Sequence, residues 1–127
     1  MPTDLQRKKA LALVSDLFFS VKIADAAKKA GMTVEMLKDP ADVLAKAKDK
    51  PSVVIVDLNF ESAHPLDLIA KLKAGAEYKG ISLLGFVSHV QGELKQAAQD
   101  AGCDLVMPRS TFSQNLPQIL KRHSGVL

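Results

Sequence analysis

The sequence predicts an α/β protein built on one open parallel sheet, and three observations carry that expectation. Apolar runs rich in β-branched residues alternate with amphipathic stretches of helical period. Five such pairs follow one another. At 127 residues the chain is far short of the roughly 250 that a closed eight-fold barrel needs. Parallel strands joined by crossovers long enough to hold a helix bury their central strands and carry helices on both faces.

Each element can be justified in order. Lys9 to Val14 is the first expected strand, and Phe18 or Phe19 to Ala30 the first helix, stopped by Gly31. Met32 to Leu37 gives a second strand. Asp39-Pro40 supplies an N-cap and a first-turn proline for a helix reaching about Lys48. Pro51 breaks the chain before the run Ser52-Val53-Val54-Ile55-Val56-Asp57-Leu58, whose apolar body reads as a buried central strand with Asp57 at its carboxyl end. The loop Asn59 to His64 leads to a third helix opened by Pro65, with Leu66, Leu68, Ile69 and Leu72 along one side. Gly80 precedes a fourth strand, Ile81 to Val87. A fourth helix follows from about Gln91 to Ala101 and ends at Gly102. Leu105-Val106-Met107 is a short fifth strand. The last helix is expected over Gln114 to Arg122, with Pro117 in its first turn, because proline deeper inside would cost about 3 kcal/mol.

Composition narrows the function. Hydrophobic residues at 47% and charged residues at 24% are those of an ordinary globular domain, expected to be a single unit over 1–127. The lone Cys103 excludes an internal disulfide, and no Cys/His cluster has zinc spacing, so the expected location is a reducing cytoplasm. No stretch approaches the roughly 18 apolar residues of a membrane span. The charge balance is mildly basic, with 17 Lys+Arg against 14 Asp+Glu. Lys28, Lys29, Lys46, Lys48, Lys50, Lys71 and Lys73 fall mostly near helix ends, where they complement helix dipoles. Aromatics are only 5%, which argues against the interleaved aromatic and basic surface of a nucleic-acid binder.

Five β/α repeats in an open sheet give the flavodoxin-like arrangement, strand order 2-1-3-4-5, in which residues after the first and third strands meet at the switch point. Here those residues are Ser15, Asp16 and Asp57. With that constellation, the chain resembles a receiver domain of two-component response regulators (CheY-like), the family that includes the chemotaxis regulators. The resemblance implies that Asp57 is the phosphoacceptor, that Asp16, Asp57 and the backbone carbonyl of Asn59 would hold magnesium, and that Ser88 is the switch residue after the fourth strand. Where receivers place a lysine before proline, Met107-Pro108-Arg109-Ser110 allows two alignments: proline as anchor puts Met107 there, and counting from Gly102 puts Arg109 there. Arg109 preserves a cation, although arginine's fork does not reproduce an ammonium. Of the family's acid pair only Asp16 is acidic, Ser15 standing in place of the other. Weak magnesium binding and an atypical or degenerate receiver are therefore implied.

Two subhypotheses follow: a functional phosphoacceptor in a phosphorelay, and a pseudo-receiver with weak or no phosphorylation at Asp57. In both, the chain is not an enzyme. It acts in trans on a signalling protein or histidine kinase through a surface of about Gln91 to His123, with only Ser124-Gly125-Val126-Leu127 left after the last helix and hence no output domain expected. A small flavodoxin-like enzyme is the remaining alternative. Its flavin phosphate would call for a Ser/Thr/Gly-rich loop, and Ser15-Asp16-Leu17-Phe18-Phe19-Ser20 offers an acid and bulky residues instead. Five other residues have local readings: His89 shields the acid or points to solvent, His64 is a loop residue, Cys103 packs rather than reacts, and one of Phe18 and Phe19 reaches the core while the other is left exposed.

Overall fold

The computed structural model describes residues 8–88 and 92–124. Its five strands are β1 (Lys9–Leu13), β2 (Thr33–Leu37), β3 (Val53–Asp57), β4 (Ser82–Val87) and β5 (Leu105–Pro108). All pair in parallel in the order β2-β1-β3-β4-β5. Between and after them run α1 (Leu17–Lys29), α2 (Pro40–Ala47), α3 (Pro65–Ala74), α4 (Gly92–Ala101) and α5 (Arg109–His123). Strand order and fold class are those the sequence predicts.

Alternation along the strands sorts the core into two layers. Ala10, Ala12, Val53, Ile55, Leu84 and Phe86 face the side covered by α1 and α5. Leu11, Leu13, Val54, Val56, Leu83 and Val87 face the side covered by α2, α3 and α4. β3 is buried at all five positions, including Asp57. Among the described residues, no helix is long and apolar enough to cross a membrane.

One element departs from expectation. α5 begins at Arg109, not near Gln114, and Pro117 lies inside it rather than in its first turn. The signal missed is the spacing of Phe112, Leu116, Ile119 and Leu120, which puts four side chains on one helical face; all four are buried. Burying each contributes roughly 1.5–3 kcal/mol, which together outweighs the roughly 3 kcal/mol cost of an internal proline. Pro117 itself is on the exposed face, where water can satisfy the carbonyl one turn back.

Candidate functional site

Four loops at the carboxyl end of the sheet bring the candidate residues together. A cavity of about 170 Å³ is lined by Ser15, Asp16, Asp57, Asn59, Phe86, Ser88 and Arg109. Register explains part of this: Asp57 ends β3 directly beside Phe86 on β4, and Leu13 ends β1 beside Val56. The next residues along β1 and β4 therefore leave the sheet at the same edge.

Asp57 is only 3% exposed and makes two hydrogen bonds. Its Oδ1 accepts the Asn59 amide at 3.0 Å and its Oδ2 accepts the Ser15 hydroxyl at 3.2 Å. A buried carboxylate without such donors would cost several kcal/mol. Asn59 in turn accepts the Ser88 amide on its side-chain oxygen at 2.7 Å, tying the β3–α3 loop to the end of β4.

Asp16 is the N-cap of α1. Its Oδ1 accepts the amides of Phe18 at 2.9 Å and Phe19 at 3.4 Å. Its Oδ2 pairs with Arg109 Nη2 at 3.1 Å. The helix N-terminus and the guanidinium thus both act on one carboxylate.

Arg109 opens α5 and is held by more than its ion pair. Its guanidinium carbon lies 4.7 Å from the Phe19 ring centre and 5.7 Å from that of Phe86. Phe19, Phe86 and Phe112 stack among themselves, with centroids 4.6–5.9 Å apart. The rings form a floor on which the cation rests, worth about 1 kcal/mol at this partial exposure. Nε of Arg109 is buried with no hydrogen-bond partner, so the stack and the pair with Asp16 dictate its pose at the expense of one donor. Met107, the other alignment, packs against the core on the α1/α5 side and does not line the cavity.

Sequence reasoning missed Lys38, Phe86, Leu17 and Val21. Lys38, just past β2, donates to the Ser15 carbonyl at 3.0 Å. Phe86 is the floor under Arg109, a role that depends on strand register and so left no local signal. Leu17, Phe18 and Val21 stand exposed at 76%, 89% and 60% on the first turns of α1, beside the site. Phe19 is buried, so the pair of phenylalanines divides as expected. His64 caps α3 with a left-handed backbone at φ 50° and is exposed. His89 lies outside the described residues.

A magnesium ion does not fit the residues as they are arranged. It needs near-octahedral oxygen ligands drawn from one or two carboxylates. Both oxygens of Asp16 and both of Asp57 are already engaged, and a guanidinium sits against the first. Among the described residues, no three His, Cys, Asp or Glu side chains form a group that could hold a metal.

No protein-family model and no curated protein matches the sequence. Solved structures match it in fold. A response regulator from Hahella chejuensis has a TM-score of 0.83 at 15% identity, covering 94% of this chain and 96% of that one. The chemotaxis response regulator CheY4 of Vibrio cholerae has a TM-score of 0.78 at 22% identity, covering 91% and 98%. The Mn(2+)-bound form of response regulator Rcp1 has a TM-score of 0.73 at 14% identity, covering 91% and 90%. Through a five-stranded parallel sheet of the same order and size, this chain carries the CheY-like fold of the response-regulator receiver domain.

Proposed function

We propose that the chain is an atypical receiver module that works in signal transduction by protein–protein contact, with weak or no phosphorylation at Asp57. The observation that carries this reading is the state of the two acids: Asp57 is buried and doubly hydrogen-bonded, and Asp16 is committed to α1 and to Arg109. Transfer of a phosphoryl group to an aspartate needs an accessible nucleophile and unspent positive charge to neutralise the transferring oxygens. Here the charge is spent on Asp16. A neighbour of the same fold is Mn(2+)-bound, which supports divalent binding as a property this fold can host, whereas in this chain the oxygens of Asp16 and Asp57 that would take the ion are already engaged.

The partner is a signalling protein or histidine kinase in trans. We assign its contact surface to α4, β5 and α5, residues 92–123; Gln91, the start of the surface expected from sequence, lies outside the described residues. Lys95, Gln96 and Gln99 on α4 and Gln118 and Arg122 on α5 are exposed and available for it. The test pairs this chain with each candidate kinase or regulator and measures binding by calorimetry. Asp57→Asn should leave the affinity unchanged, while Lys95→Glu and Arg122→Glu should weaken it. Affinity that rises with phosphodonor and collapses in Asp57→Asn would favour the phosphorelay alternative.

A further inference from the structure

We propose that the guanidinium of Arg109 is a built-in replacement for the divalent cation, so that Asp16 is neutralised by the chain itself and the site admits metal only when Arg109 is displaced. The inference deepens the receiver reading, since it takes the cavity beside Asp57 as the place where an ion would act.

Charge in the cavity is the first argument. Asp16 and Asp57 bring two negative charges. Arg109 pairs directly with Asp16, and Lys38 is anchored on the Ser15 backbone, whose hydroxyl is bonded to Asp57. Arg109 thus neutralises one of the two acids that a divalent ion would bridge. An ion entering beside Asp16 would instead meet a fixed positive charge in a partly desolvated site, where repulsion is strong.

Fixation is the second. A surface arginine swings away from an arriving cation at little cost. Arg109 is seated on Phe19 and Phe86, is the first residue of α5, and is followed one turn later by the fully buried Phe112. Arginine also stays charged at every accessible pH, so the substitution for metal is permanent rather than titratable. Ser15 fits the same scheme. With a neutral hydroxyl where a second acid would stand, a single cation suffices for Asp16, and the hydroxyl serves Asp57 as a donor.

Magnesium and manganese titrations of the isotope-labelled chain, followed at the amides of Asn59 and Ser88, test the inference. The unmodified chain should show no saturable shift through the millimolar range. Arg109→Met, which keeps an apolar stem over the two rings and removes the charge, should give a saturable shift and an affinity higher by about tenfold or more. Arg109→Lys, whose flexible ammonium lacks the ring-seated fork, should exclude the ion less well than arginine. Adding Asp57→Asn to Arg109→Met should abolish the new binding, and Arg109→Gln replaces the methionine variant should that one fail to fold. Saturable binding by the unmodified chain that Arg109→Met does not strengthen would overturn the inference. So would binding that survives Asp57→Asn, because the ion would then sit elsewhere. Neither result bears on whether Asp57 accepts a phosphoryl group, which phosphodonor labelling reads separately.

Discussion

The two edges of the sheet solve the same problem with different materials. At the amino-terminal edge the chain closes its hydrogen bonds mostly through backbone: Thr33 donates to the Lys8 carbonyl, Ser52 to that of Lys9, and Ser82 to that of Ser52. Three glycines with positive φ, Gly31, Gly80 and Gly102, turn the chain there. At the carboxyl-terminal edge, four amides are closed by side chains. Asp16 takes those of Phe18 and Phe19, Asp57 that of Asn59, and Asn59 that of Ser88. A backbone solution leaves the loops chemically quiet; a side-chain solution concentrates carboxylates and polar groups at one place. Asp104 is an exception at the quiet edge, accepting the Leu83 amide at 2.8 Å and pairing with Lys73 at 2.9 Å, but there it clamps α3 to the sheet.

If the reactive edge rests on its aromatic floor, removing that floor should have the largest effect. Phe86→Ala should cost about 3–5 kcal/mol in urea unfolding, since the ring is fully buried among Phe19 and Phe112. It should also loosen Arg109, seen as broadening of the guanidinium resonances.

The amino-terminal edge should respond to backbone changes instead. Gly102 has φ 115°, and a Cβ there would clash with the Lys73 side chain. Gly102→Ala should therefore cost about 1–3 kcal/mol in the same measurement. It should leave the Asn59 and Ser88 amide shifts unchanged.

Asp16 separates capping from charge. Asp16→Ala removes the α1 cap and the partner of Arg109 and should cost about 1–2 kcal/mol. Asp16→Asn keeps a capping oxygen and should cost less, the remainder being the ion pair. That remainder should be near 1 kcal/mol or below, because both side chains are about one-third exposed.

The smallest effect is expected at Cys103, which follows Gly102 into β5. Burial pushes its thiol up to about 11 from 9.0. The folded state thus favours the protonated thiol. That stability is fully present below pH 9 and is lost as pH rises toward 11, a slope that Cys103→Ala should remove. Alkylation of the native chain at pH 8 should proceed only at the rate of unfolding.

Much of this was legible in the sequence because it is periodic or terminal. The β3 run and the acid that ends it are local features, and so are the Asp39-Pro40 cap and the glycine stops. From five β/α pairs, crossover handedness and the switch-point rule lead to the strand order and the meeting of Ser15, Asp16 and Asp57. What was not legible depends on register and on competition. Phe86 lies under Arg109 only because β4 is aligned beside Asp57. Pro117 is a strong local stop signal overridden by four buried side chains on the far face of α5. Lys38 reaches Ser15 across the β2–β1 edge, a contact no linear pattern announces.

Closure of the carboxyl-terminal edge by its own residues should keep Asp57 from a phosphodonor. Incubation with acetyl phosphate and magnesium, followed by intact mass over time, reads this directly at Asp57. The predicted result is slow and partial modification at most, rising in Arg109→Met with Ser15→Asp, where the cation is removed and the second acid is present. Fast, stoichiometric modification of the unmodified chain, lost in Asp57→Asn, would contradict it.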